Sequence, residues 1–182
     1  MTQPVPTKHL LLFRHAKSDW GTAAENDHAR PLTKRGIAAA QAMGRILAAS
    51  GQMPDRVVTS SAVRAKTTLE VARAAGKWKC PTEISDALYD TDASAVLEEI
   101  RALPKSATTV LFVGHEPTWS ELASFLIGGG NLRFPTAALA RIDLVVPGWH
   151  AVTFGRGQLV WLLQPKFFTK GKFPLDKLDV TH

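Results

Sequence analysis

Leu10, Leu11, Leu12 and Phe13 run without a polar break and stop at Arg14 and His15. An unbroken apolar run of this kind predicts a strand buried on both faces. Its polar tip then delivers side chains to the end of the sheet. The design recurs twice. Residues 56–59 are short and β-branched and end at Ser60 and Ser61; residues 108–113 are the clearest strand and end at Gly114 and His115. Between these runs the period changes from two to three or four. Residues 34–49 predict a helix capped by Thr33 and stopped by Gly51, with Ile37, Ala40, Met43 (or Gly44) and Leu47 facing the core. Further helices are predicted over 63–75, over 93–102 with Val96, Leu97 and Ile100 inward, and over 117–126 with Pro117 in the first turn. Residues 82–84 predict a peripheral strand, 86–91 a loop, and Gly128 to Asn131 a turn. Residues 138–145 and 159–163 read as a late pair of strands completing the sheet edge.

Alternating strands and helices predict a three-layer α/β fold, a mostly parallel sheet with helices on both faces. One domain is expected over 1–182, with 1–8 as an N-terminal extension and 166–182 as a basic, surface-draped tail. In such sheets ligands bind at the carboxyl ends of strands. Three polar strand tips therefore fall where a ligand would lie.

Composition changes this picture little. Apolar residues make up 45% and charged residues 21% of the 182, as in an ordinary globular chain. The net charge of +6 favours an anionic ligand, of which phosphate is the simplest. The charges are scattered and no nucleic-acid-binding signature accompanies them, so no nucleic-acid partner is expected. Cys80 stands alone and reads as a small, half-buried residue, compatible with a reducing compartment. No stretch approaches the roughly 20 apolar residues of a membrane span, and Met1 to Lys8 holds no signal-like run. A cytoplasmic protein without membrane association is the expectation.

The tips carry specific chemistry. A guanidinium beside an imidazole can hold a phosphoryl group through paired hydrogen bonds while the imidazole attacks phosphorus. Arg14-His15-Ala16, Ser61 to Thr67 with Arg64 and Ala65 inside it, and Gly114-His115 stand in a telling order. The chain resembles the histidine phosphatase (phosphoglycerate mutase-like) superfamily, whose pattern is Arg-His-Gly or Arg-His-Ala, then Ser-x-x-Arg-Ala-x-x-Thr, then Gly-His. Within it the chain looks like the short, SixA-type phosphohistidine phosphatases, which lack the long lid insertions of the mutases. The resemblance implies a phosphoglycerate mutase-like fold.

His15 is then the nucleophile, forming a covalent phosphohistidine that water hydrolyses. To be neutral at the attacking nitrogen it needs an acceptor, a backbone carbonyl, at the other. Arg14 and Arg64 would clamp the phosphoryl oxygens, Arg64 from the first turn of a helix whose amides face the same anion. By resemblance, His115 donates a hydrogen bond to a phosphoryl oxygen, and Gly114 leaves the pocket unobstructed. Ser18, Asp19 and Thr67 lie near these tips and are the further substrate-binding candidates.

An ester leaving group also needs a general acid. Asp90, in Leu88-Tyr89-Asp90, sits about where a Leu-x-Glu element sits in the mutases and is nominated; Asp19 and Asp92 compete, and Glu116 reads as poorly placed beside His115. SixA-type enzymes lack the usual acid by resemblance, and phosphohistidine supplies a better leaving group than an alkoxide. Ala16 and Glu116 depart from the commoner Gly and Asn, and the basic tail has no counterpart. The expected activity is a metal-independent, cofactor-free phosphatase acting on a phosphohistidine-bearing protein or a small phosphate ester. A phosphomutase and a non-catalytic phospho-ligand binding module are the alternatives. The sequence leaves the oligomeric state open.

Overall fold

The computed structural model describes residues 7–21 and 24–169. Its centre is strand β1 (Thr7–Arg14), whose alternation serves two cores at once. Leu10 and Leu12 pack on one face with Val110, Phe112, Ile100 and Trp119. Leu11 and Phe13 pack on the other with Met43, Leu47, Leu69 and Ala72. All four β1 side chains are fully buried, each contributing roughly 1.5–3 kcal/mol relative to exposure.

The remaining elements follow the predicted alternation. They are α1 (Lys34–Ala49), β2 (Arg56–Ser60), α2 (Val63–Gly76), β3 (Thr82–Ser85), α3 (Ala93–Arg101), β4 (Thr109–Gly114), α4 (Thr118–Leu126), β5 (Leu139–Val145), β6 (Gly157–Leu163) and α5 (Lys166–Thr169). Short 3-10 turns occupy Asp86–Leu88 and Trp149–Ala151. The six strands form one sheet in the order β3-β2-β4-β1-β5-β6. Pairings among β3, β2, β4 and β1 are parallel; β5 pairs antiparallel with both β1 and β6. Helices α1 and α2 cover one face, α3 and α4 the other.

Local chemistry accounts for the helix ends. Thr33 caps α1 by accepting from the Gly36 amide, and Asp92 caps α3 by accepting from Ser94 and Ala95. Helix α2 closes on Lys77 in the left-handed region (φ 56).

Three expectations change. Ile37 is not a core residue: it is 36% exposed, and the inward position of that turn is Gly36, where a Cβ would strike the Lys17 backbone carbonyl. Lys34 and its followers can approach the end of β1 only through a residue without a side chain. Thr7 and Lys8 are strand, not extension; the Lys8 ammonium is buried and donates to the Lys105 and Ala107 carbonyls. Residues 166–169 are a helical turn, and the rest of the basic tail lies outside the described residues. The late strands form a hairpin that completes one edge of the sheet as expected, β5 against β1 and β6 outermost.

Sheet register sets the site. Arg14 is level with Gly114, and Thr59 with Val113, so Ser60, Gly114 and Arg14 end three adjacent strands at one height. Among the described residues no helix is long and apolar enough to cross a membrane.

Candidate active site

Beyond those three strand ends lies a cleft of about 270 Å³. His15 and His115 each follow a register partner, and the His15 amide donates to the Gly114 carbonyl at 2.9 Å. The two imidazoles are therefore neighbours, with ring centroids 5.1 Å apart. Arg14, Arg64, Ser18, Lys17 and Glu116 line the same cleft, joined by Asp27 and Arg30 from the loop before α1.

The tautomer of His15 follows from its surroundings. Its Nδ1 lies 2.8 Å from the Ala16 carbonyl oxygen, which can only accept. The proton therefore sits on Nδ1, and Nε2 keeps its lone pair. Burial, reinforced by His115, Arg64 and Arg14 against the opposing hydrogen bond to Ala16, pushes the His15 pKa down to about 3. The ring is neutral at pH 7. Burial and then Arg64 likewise push His115 down to about 4. The Nε2 of His115 is 2.8 Å from the Ser60 hydroxyl, which itself accepts from the Ala62 amide. The Ser60 hydroxyl keeps both a proton and a second lone pair, so either neutral tautomer of His115 satisfies this contact.

Three nitrogens of this cleft are buried and unpartnered: the Nε–H groups of Arg14 and Arg64, and Nδ1 of His115. Unpaired buried polar groups are costly and rare, and three in one cleft form a socket for an anion. Other nitrogens of the two guanidinium groups are tied. Arg14 Nη1 donates to the Phe134 carbonyl at 2.6 Å, while Arg64 Nη1 and Nη2 donate to the Asp27 carbonyl (2.6 Å) and carboxylate (2.9 Å). The amide of Val63, at the start of α2, is taken by the His28 carbonyl. The Val63 amide is therefore not among the helix donors expected to face the anion, and the Arg64 guanidinium brings positive charge to this end of α2.

Several contributors went unrecognised in the sequence. Arg30 is 7% exposed and donates to the Asp19 carbonyl, the Asp27 carboxylate and the Ser18 hydroxyl, with Trp20 stacked 3.3 Å from its guanidinium carbon. Asp27 also accepts from the Tyr89 hydroxyl at 3.0 Å. Burial opposes its ionisation, but Arg30, Tyr89 and Arg64 together hold its pKa down to about 2. Ser61 meets His28 Nε2 at 3.0 Å. Thr68 accepts from the Ala16 amide and donates to the Arg64 carbonyl, pinning the turn after His15 to α2. Thr67, the nominated residue, is half-buried beside it and does not line the cleft. A strict count would have found Thr68: the Thr of Ser-x-x-Arg-Ala-x-x-Thr falls four residues after Arg64.

The nominated carboxylates disperse. Asp90 is exposed in the left-handed region (φ 50), because the turn at Asp86–Leu88 buries Leu88 and spends the next position on Tyr89, whose ring stands 5.7 Å from that of His115. Asp19 caps the Gly21 amide, and Asp92 caps α3. None of the three lines the cleft. Glu116, read as poorly placed, does line it. Gly114 also serves a different purpose from the expected one: a Cβ there would meet the Trp119 ring at 2.6 Å, so it permits packing beneath the site. Among the described residues no group of three His, Cys, Asp or Glu could hold a metal ion.

Residues 10–95 match the model of the histidine phosphatase superfamily (branch 1). An uncharacterized protein of Mycobacterium tuberculosis is 36% identical over 164 residues, covering 85% of this chain and all of its own length. The structure of a candidate phosphohistidine phosphatase SixA from Nakamurella multipartitia is similar at TM-score 0.77 and 30% identity, over 90% of this chain and 99% of its own. The protein histidine phosphatase SixA complexed with tungstate is similar at TM-score 0.77 and 25% identity, over 88% and 99%. The chain belongs to the histidine phosphatase superfamily and is of its SixA type.

Proposed function

We propose that the protein is a phosphatase that takes a phosphoryl group onto Nε2 of His15 and passes it to water. One observation carries this reading: a neutral imidazole with a free lone pair shares its cleft with the unpaired buried Nε–H donors of Arg14 and Arg64 and the unpaired Nδ1 of His115. A phosphoryl group in that socket would accept from Arg14 Nε, Arg64 Nε and His115 Nδ1 through its non-bridging oxygens, leaving phosphorus open to Nε2. Charge developing on those oxygens in the transition state meets donors already in place, which is where most catalytic stabilisation in phosphoryl transfer arises. Ser18 holds Arg30 and Thr68 holds the His15 turn, so both position the reacting groups. A SixA relative is complexed with tungstate, a phosphate-like oxyanion, which is in keeping with an anionic ligand.

The substrate class that the SixA-type relatives suggest is a phosphohistidine on a protein. Two guanidinium groups supply the positive charge, so turnover is expected without metal. Phosphate release from a phosphohistidine-bearing transfer domain and from p-nitrophenyl phosphate, measured with chelator for wild type and His15→Ala, tests both points. The variant should lose all release above background, and chelator should change nothing. Undiminished release by the variant would remove His15 from the chemistry.

A further inference from the structure

The cleft holds two carboxyl groups, and their surroundings set them to opposite tasks. Asp27 is bound by Arg30, Arg64 and Tyr89, so it is ionised and committed. Glu116 is held by one residue, Ser120, whose hydroxyl donates to Oε1 at 2.9 Å and whose backbone amide also hydrogen-bonds the carboxyl group. Glu116 also stands on a boundary. It lines the 270 Å³ cleft that holds His15 and a second, more open hollow of about 500 Å³ walled by Ser120, Asn131, Arg133 and Phe134. Only Arg14, Lys17, Glu116 and Thr136 line both spaces, and Glu116 is the one acid among them. With a phosphoryl group beside His15 and its leaving group in the hollow, the scissile bond crosses that boundary.

We propose that Glu116 is the proton donor to the leaving oxygen and then the acceptor from water, which opens the site to alkyl phosphomonoesters. The inference rests on His15 being the nucleophile. In the first step the Nε2 lone pair forms the P–N bond, the P–O bond breaks, and its electron pair takes the Glu116 proton to release an alcohol. In the second, the Glu116 carboxylate takes a proton from water, the water oxygen bonds phosphorus, and the P–N pair returns to Nε2. Burial pushes the Glu116 carboxyl above its ordinary value, opposed by the Ser120 hydroxyl, by Arg14 and by the Ser120 amide, while Glu121 on α4 adds to the rise. Arg14 on β1, with Lys17 and Arg133 along the same walls, are the cations around it, and His115 is neutral. A phosphate dianion docking nearby would favour the protonated acid further.

The test is a series of phosphomonoesters whose leaving groups range from nitrophenols to simple alcohols, for wild type and Glu116→Gln. General acid catalysis of this kind is worth about 10²–10⁴-fold. The variant should lose on that order in kcat/KM for alkyl esters and stay within a few-fold of wild type for nitrophenyl esters. The alkaline limb of the wild-type alkyl-ester profile should vanish with it. Ser120→Ala removes a hydrogen bond that favours the carboxylate, so it should move that limb to higher pH, which keeps the test open if Glu116→Gln misfolds. Equal losses across the series, or an unmoved limb, would overturn the role of Glu116 while leaving His15-dependent turnover standing. Absence of His15-dependent turnover in wild type would overturn both.

Discussion

At the scale of single residues, the proposed chemistry depends on two histidines being held neutral. Both have pKa values pushed well below the ordinary 6.5, to about 3 for His15 and about 4 for His115. A depressed histidine pKa means the unfolded chain binds protons that the folded chain refuses. Stability is therefore full above pH 6.5 and falls as pH drops through the window between 6.5 and those folded values. Urea unfolding followed by tryptophan fluorescence from pH 7.5 to 4 should show this decline, and His15→Asn should make it shallower than wild type. An identical slope in the variant would mean that His15 is not held neutral by burial. Arg14, His15 and His115 were legible as cleft residues because each sits at an abrupt end of an apolar run, and Arg64 because it holds its place in the Ser-x-x-Arg-Ala pattern. The roles of Glu116 and Asp90 were not, since a carboxylate in a polar loop reads alike whether tertiary packing buries it or a left-handed turn exposes it.

At the scale of elements, the site exists because three strands stop together. The register Arg14 to Gly114 and Thr59 to Val113 turns three separate sequence motifs into one rim, and Trp119 of α4 supports it from below. Gly114→Ala would place a methyl group against that fully buried ring. Overpacking of this kind costs about 1–3 kcal/mol, and the displaced residue adjoins His115. We expect the variant to unfold at correspondingly lower denaturant and to lose activity, whereas a merely open pocket at Gly114 would leave stability untouched. The strand and helix order was readable from the change of hydrophobic period. The inward face of α1 was readable at Ala40, Met43, Gly44 and Leu47 but not in its first turn: Gly36 replaces Ile37 there because α1 must approach the Lys17 backbone, a contact far away in sequence.

At the scale of the whole molecule, a parallel half-sheet is extended on the far side of β1 by an antiparallel hairpin, and the cleft opens between the strand ends and the loop of residues 24–30. That loop carries Asp27, His28 and Arg30, which link both sides of the cleft through hydrogen bonds to Arg64, Ser61 and Ser18. Its lack of periodicity hid it in the sequence, although its polar composition marked it as a loop. The interior place of β5 was hidden for a related reason, since a hairpin pattern does not say which strand meets the sheet. The central claim is a phosphoryl group carried by His15. Rapid quenching of the enzyme with a reactive phosphomonoester, followed by peptide mass spectrometry under alkaline conditions, tests it most directly. The account predicts an acid-labile, alkali-stable phosphoryl group on His15 that forms and decays at rates consistent with turnover. Turnover with no phosphoryl group on His15, or with one on another residue, would contradict it.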